Sequence, residues 1–462
     1  YTIRFGIGET LFRLTNEFDV EPWLASSYKK IDDQTWEIHL KENLTFSNGN
    51  AVNSDAVIAS LQRVGENHKS GKLFKTATYT ANDALTFTVH TEKPTPQFIH
   101  ELVDAKTAIV DVTSTDKIIG TGPYEVTEFK PNDSISLTAS THYWAGNASI
   151  KEVHYQLIPD QKTLELAIKS KEVDGGLDLN DDVADSLMKD SSVQVYNQPS
   201  TRTYHLELNK ARLQDKKVRQ AILHAINKQE LTQDFLKGHV TPADGAFLDS
   251  SIYSSGTFAN KQYQPEMTTK LLEEAGYKDV DGDGIRENKD GSPLSITFAA
   301  RTRDDANESL IQQYLLWWKE IGLDVQLYTG RTIESNNFYE KVQTDDPEID
   351  MFAAGWGTGF DPNPSNLFGE TAKFNFARFV SEKGNSIMNN ISSTEAFDDA
   401  KNVEFYKEWQ QYVQENPFAI PRFNTFELTA VNKRVKKINI TPDKGTGWEE
   451  VELVADKGVA AK

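Results

Sequence analysis

TYHLELN, residues 203–209, followed by VRQAILHAINKQELTQDFL, residues 218–236, decides the fold class of this chain. The first segment reads as a strand and the second as a helix. In the helical segment Val218, Ala221, Ile222, Ala225 and Ile226 recur at the three- and four-residue spacing that gathers side chains into one apolar stripe. The same succession occurs upstream, where VHYQLIP (153–159) precedes KTLELAIKSKEVD (162–174). Strands alternating with such helices imply parallel pairing through crossover connections, and so an α/β architecture.

Working outward, the first ~150 residues are richer in strands. TWEIHL (35–40) and LTFTVH (85–90) alternate with the two-residue period of half-buried strands. Between them Asn53 caps a helix over NSDAVIASLQRV (53–64), with Ala56, Val57, Ala59, Ser60 and Leu61 at helical spacing. GTGPYEVTEF (120–129) is a glycine-proline turn feeding a strand, and SISLTAS (134–140) continues the pattern. Beyond Leu213 come a helix over Ser309–Ile321 and a strand at DVQLYTG. NTFELTAVNKRV (424–435) returns to strand character. A tail that rejoins the first part divides the chain into residues 1–212 plus 424–462, with a small subdomain at about 30–150, and residues 213–423. Two lobes joined by more than one crossing suit closure on a ligand.

Composition narrows the function. With 462 residues the chain exceeds one ordinary core. Its 38% hydrophobic and 26% charged content is that of a folded protein. A formal charge of −20 argues against nucleic acid or anionic membrane as an electrostatic partner. There is no cysteine, which removes disulfides, thiolate metal sites and cysteine nucleophiles together. No run reaches the ~18 apolar residues of a membrane span. Opening on YTIRFGIGETLF leads us to expect that an export signal and a lipid anchor precede this sequence in the full-length protein.

The chemistry concentrates in AGWGTGFDPNPSNLFGETAKFNFARF, residues 354–379. It follows the short buried-strand pattern EIDMFAAG (348–355), and open α/β sheets place ligands at strand ends. Trp356 can stack, Asp361 can accept hydrogen bonds or pair with a cation, and Arg378 can hold an anion. Aromatics in such places are also ordinary core residues, so the rest of the chain has to decide between the two.

A second motif is DVDGDGIRENKD, residues 279–290, with Asp279, Asp281, Asp283 and Asp290 at positions 1, 3, 5 and 12, Gly284 at 6 and the Ile285 carbonyl at 7. That is the ligand spacing of a calcium loop, although position 12 is Asp rather than Glu and a strand follows where a helix would exit. A structural calcium is one reading, a solvated acidic turn the other, and no other cofactor is required. The nine histidines form no i, i+4 pair, which argues against a zinc site. GENHKSGKL (65–73) departs from the phosphate-loop spacing, and no GxSxG elbow occurs. A carboxylate pair of the hydrolase type is not visible in sequence, so a peptide or glycan hydrolase stands only as a distant alternative.

Several blocks in order give the chain a family likeness: ETLFRL (9–14), VEPWLASSYKKIDDQTWEIHLKENLTFSNGNAVNSDAV (20–57), GTGPYEV (120–126), HYW (142–144), VRQAILHAINK (218–228), KLLEEAGY (270–277) and GWGTGFDP (355–362). It resembles the extracytoplasmic substrate-binding proteins of ABC importers for peptides and nickel chelates. FGETAKFNFARFVSE (368–382) looks most like peptide-binding members from low-GC Gram-positive bacteria. The resemblance implies a type II, two-lobed periplasmic-binding-protein-like α/β fold in its large peptide-binding form, with an extra small subdomain. It also implies a monomeric, non-enzymatic receptor, lipid-anchored outside the membrane, that encloses a small peptide between its lobes and delivers it to a membrane permease. A nickel or other metal chelate is the alternative ligand. In peptide binders of this family an aspartate shortly after the loop tryptophan holds the ligand's α-amino group, and the nearest position here is Gly359. The expected contacts are Trp356, Gly357, Thr358, Phe360, Asp361 and Arg378 from one lobe, together with Glu9, Thr10, Tyr204 and His205 from the strand ends at 6–10 and 203–206.

Overall fold

Alternating apolar residues build the first unit, Tyr1–Ser200 with Phe426–Lys462, out of antiparallel pairs. The computed structural model describes residues 2–15, 19–243, 263–303, 305–357, 363–441, 445 and 447–454. Strands β1 (Phe12–Leu14) and β2 (Val20–Pro22) pair first. A four-stranded sheet follows in the order β3 (Ala25–Lys30), β4 (Thr35–Leu40), β6 (Thr86–His90), β5 (Thr78–Ala81). Its period-two pattern buries Trp36, Ile38 and Leu40 on β4 and Phe87 and Val89 on β6. Helix Ser54–Asn67 lies against this sheet, and Asn53 caps it by accepting the Ala56 N–H at 3.0 Å, as expected.

Strands β7 (Tyr124–Lys130), β8 (Ser134–Ala139) and β9 (Glu152–Gln156) form a second antiparallel sheet. The parallel pairing expected for residues 153–159 is therefore corrected. Alternate β9 residues are exposed, and a sheet with one wet face is typically antiparallel. The GTGP turn before β7 lies directly on the backbone of residues 6–8. A Cβ on Gly122 would sit 2.3 Å from the Gly6 carbonyl oxygen, so only glycine admits the hydrogen bonds from Gly122 N–H to Ile7 and from Tyr124 N–H to Gly6. Arg4 ties this segment to the end of the chain, pairing with Asp178 at 2.8 Å and Glu427 at 2.5 Å.

The short β10 (Gly175–Gly176) pairs with the C-terminal half of a later strand, Ala419–Asn432, through Ala430 and Val431. Strand β11 (Val193–Leu208) carries the chain into the second unit, Thr201–Thr425. That unit adds β12 (Val240–Pro242), β13 (Ser295–Ala299), β14 (Asp324–Leu327), β15 (Met351–Gly357) and β16 (Ala419–Asn432). Their order is β16, β11, β15, β13, β14, with β12 beside β16. Both passages between units lie inside strands, at residues 200/201 and 425/426, whereas the sequence reading places them in the neighbouring connections. The chain ends in the first unit with β17 (Val435–Lys436) and β18 (Glu452–Leu453).

Pairing in the second unit is mixed. Strand β13 runs parallel to β14 and β15, as crossovers demand, but β11 pairs antiparallel with β15 from Arg202↔Gly357 to Leu208↔Met351. Tyr204, Leu206 and Leu208 bury one face of β11 against the Val218, Ala221 and Ile222 stripe and against Tyr314 and Trp318. The long helix expected over 218–236 is two pieces. Lys216–His224 ends at Ala225, and Asn227 starts a new turn by accepting the Glu230 N–H. Among the described residues no helix is long and apolar enough to cross a membrane.

Candidate functional site

Trp356 stands at the end of β15 because EIDMFAAGWG places Phe352, Ala354 and Trp356 on one face of the strand, over a cluster with Tyr328, Phe338 and Phe376. Its half-buried ring meets Phe374 and Phe376, each 5.7 Å away and tilted by 57° and 48°. The indole N–H donates to Glu207 Oε1. Glu207 is fully buried, and burial pushes its carboxyl up to about 8, against the smaller lowering effect of the Trp356 bond. Gly357 ends the strand, and among the described residues nothing lies within 4 Å of where its Cβ would be.

The other expected contacts divide by environment. Tyr204 is buried, stacks on Phe423 with centroids 4.9 Å apart, and accepts a hydrogen bond from Arg303 at 2.9 Å. His205 is wholly buried, and among the described residues neither ring nitrogen has a hydrogen-bond partner. Burial and the nearby Arg422 and Lys228 charges push it down to about 3, so the ring is neutral at ordinary pH. Neither side chain presents itself to solvent. Arg378 donates to the Val342, Gln343 and Asn375 carbonyls and pairs with Asp345 at 3.3 Å. Those contacts hold the Nη1 and Nη2 groups against the protein's own loop. Thr358, Gly359, Phe360 and Asp361 lie outside the described residues.

In the first unit Glu9 is enclosed by indole and phenol donors. Trp23 Nε1 and the Tyr143 hydroxyl donate to Oε1 at 3.0 and 2.8 Å, and Trp144 Nε1 donates to Oε2 at 2.9 Å. Burial raises this carboxyl to about 7 even though the donors pull the other way. A recess of about 70 Å³ touches Glu9, Thr10, Arg13, Trp23 and Trp448, and the Arg13 guanidinium lies 3.7 Å from the Trp23 ring centroid. Thr10 turns its hydroxyl to the Phe12 carbonyl at 2.5 Å. The structure thus makes Glu9 and Thr10 parts of the wall.

The acidic loop gathers three of its expected ligands and replaces one. Carboxylate oxygens of Asp279, Asp281, Asp283 and Glu287 all lie within 4.8 Å of one another. Asp290 is not among them, because its Oδ1 accepts from the N–H and hydroxyl of Ser292. Bridges from Glu287 to Lys278 and Pro293 turn the chain back after Gly284, so position 9 arrives where position 12 was expected. Gly284, at φ +88°, makes that reversal accessible, and the Ile285 N–H donates to Asp283.

The family described as bacterial extracellular solute-binding proteins, family 5 middle, matches residues 19–376. The chain belongs to this family. The oligopeptide-binding protein OppA of Lactococcus lactis subsp. lactis strain IL1403 is 27% identical over 368 residues, 74% of this chain and 60% of that protein. The chain therefore spans less than two thirds of the length of the lactococcal relative. The glutathione-binding protein GsiB of Escherichia coli strain K12 is 25% identical over 467 residues, covering 96% of this chain and 88% of GsiB. The crystal structure of a nickel ABC transporter from Bacillus halodurans superposes with a TM-score of 0.81 at 25% identity, over 97% of this chain and 94% of that one. The family 5 fold, α/β with several sheets, is thereby established for this chain.

Four residues of this family 5 chain were not singled out from sequence. Glu207 lay in plain view, since Thr203, His205 and Glu207 are polar at every second position of an otherwise apolar strand. Trp144 and Tyr143 were legible only as part of a family block, and Glu287 only as an off-position carboxylate.

Proposed function

We propose that this chain is the non-enzymatic substrate-binding receptor of an ABC importer, and that it captures peptides and hands them unaltered to a membrane permease. The observation that carries the reading is Trp356, an aromatic platform held at the end of β15 by Phe374, Phe376 and Glu207. Relatives named for oligopeptide and glutathione binding support a peptide ligand. The Bacillus halodurans structure supports a nickel chelate as the second reading. The receptor works as a monomer, anchored by lipid to the outer face of the cell membrane.

Calorimetry with a peptide panel and with nickel–histidine tests this order. A peptide is expected to bind most tightly, and a chelate that outcompetes every peptide would reverse it. Mass spectrometry after incubation should return each ligand intact, and any cleavage product defeats the receptor reading. Trp356→Ala should weaken the tightest ligand by roughly 30-fold, as for a central aromatic contact worth ~2 kcal/mol.

We also propose that Asp279, Asp281, Asp283 and Glu287 hold a structural calcium. Their oxygens are close enough together to surround one ion at the ~2.3–2.6 Å that calcium prefers. A bound ion would stabilise the second unit by an amount that grows with the logarithm of its concentration relative to its dissociation constant. Chelator should lower the melting temperature by about 4–8 °C without changing ligand affinity, and Asp279→Asn with Asp283→Asn should abolish that response. An unchanged melting temperature after chelation sinks this assignment.

A further inference from the structure

We infer that Glu207 is a positioning residue for the binding platform: it accepts the Trp356 indole N–H from within the sheet and so sets the plane of the ring that the ligand meets, without touching the ligand. The inference rests on the reading of Trp356 as a ligand contact.

Strand register makes the arrangement specific. Trp356 lies opposite Thr203, while Glu207 lies four residues further along β11, opposite Phe352. At the ~3.4 Å rise of an antiparallel strand the two backbones are more than ten ångströms apart along the sheet. The indole must therefore lie lengthwise over the intervening pair, His205 opposite Ala354, to deliver its N–H to Glu207. The small Ala354 side chain leaves room for a ring in that pose. Phe374 and Phe376 bound the ring only by tilted aromatic contact, which resists translation more than rotation. The bond to Glu207 is directional and supplies what they lack.

Glu207 is 0% exposed, and among the described residues its second oxygen, Oε2, has no hydrogen-bond partner. Arg422 and Lys228, the cations whose charge reaches His205, make their own bonds to the Tyr314 hydroxyl and the Ala243 carbonyl. If packing were the whole role, an apolar side chain would serve better, since a buried acceptor is costly unless its partner repays it. Held neutral by burial, Glu207 offers Oε1 to the indole as a carbonyl oxygen would, and an amide can take its place.

The test is calorimetry on the full chain with the tightest peptide of the panel, alongside melting temperatures. Glu207→Gln should bind within twofold of wild type. Glu207→Leu should weaken binding 5- to 20-fold without a matching loss of thermal stability. Trp356→Phe, which keeps a ring but has no N–H, should weaken it similarly, and adding Glu207→Leu to Trp356→Phe should change affinity less than twofold. The inference is overturned if Glu207→Leu binds like wild type while Trp356→Ala does not, or if the double variant shows both losses in full. Should Glu207→Leu fail to fold, Trp356→Phe decides alone, and wild-type affinity there overturns the inference. Trp356→Ala with unchanged affinity is a separate result: it removes the reading of Trp356 as a contact, and Glu207's role with it.

Discussion

Glu9→Ala is expected to cost the first unit about 3–6 kcal/mol and to lower its melting temperature by at least about 6 °C. The carboxylate accepts three hydrogen bonds, from Trp23, Tyr143 and Trp144, and Tyr143 is itself buried. Alanine removes the acceptor and leaves all the donors in place. An orphaned buried donor costs ~1–3 kcal/mol, so three of them far exceed the value of any one bond. A unit of this size shifts its melting temperature by ~2–4 °C for each kcal/mol. The cage also organises its neighbours: Trp23 and Trp144 meet edge to face at 5.3 Å, and Lys41 lies 4.6 Å from the Trp144 ring centroid. Trp144→Phe removes one donor and keeps most of the ring, so it should cost about a third as much. Glu9→Gln should fall between, because its amide turns a donor toward donors. Calorimetric melting checks the series, and a Glu9→Ala protein melting within 3 °C of wild type would show that the cage relaxes around the gap.

Local rules were readable wherever the neighbours in sequence were also the neighbours that mattered. TWEIHL became β4 over the residues predicted, Thr35–Leu40, and the Asn53 cap formed where its position before an amphipathic run put it. KLLEEAGY ends its helix at Gly276 with a φ of +95°, the left-handed cap that glycine provides. What failed depended on partners far away in the chain. Whether 203–209 pairs parallel or antiparallel is settled by residues 351–357, about 150 positions downstream, and no local pattern encodes that choice. The bonds of Arg378 to the Val342 and Gln343 carbonyls are likewise not encoded locally, because those residues are remote in sequence. The acidic loop went astray differently: its spacing matched a helix-exiting template, whereas this chain turns back into a strand and brings Glu287 in place of Asp290. Glu207 shows a readable signal left unused, since a carboxylate among apolar strand residues asks what it bonds to.

That buried carboxylate also gives the second unit an unusual pH dependence: wild type should lose on the order of 3–5 kcal/mol relative to Glu207→Gln between pH 4.5 and pH 8. Burial raises Glu207 from an ordinary 4.5 to about 8. Below 4.5 both folded and unfolded chains hold the proton, so its stabilising contribution is fully present. Above 4.5 the unfolded chain releases the proton while the folded chain keeps it, and stability falls by about 1.4 kcal/mol per pH unit until the folded value is passed. Glu9, raised to about 7, works in the same direction in the first unit. His205 works the other way: held down to about 3, it withdraws stability as pH falls below 6.5. Asp111 adds to that acid-side loss. Although partial burial opposes it, hydrogen bonds from Thr113, Asn48 and Asn50 hold it down to about 2. These groups shape the wild-type curve, but each is present in Glu207→Gln as well, so the difference between the two curves isolates Glu207. Urea denaturation at half-unit pH steps measures it. Parallel curves would mean that the carboxyl ionises at no cost inside the sheet, as a cation or water close to Oε2 would allow, and would overturn the raised value.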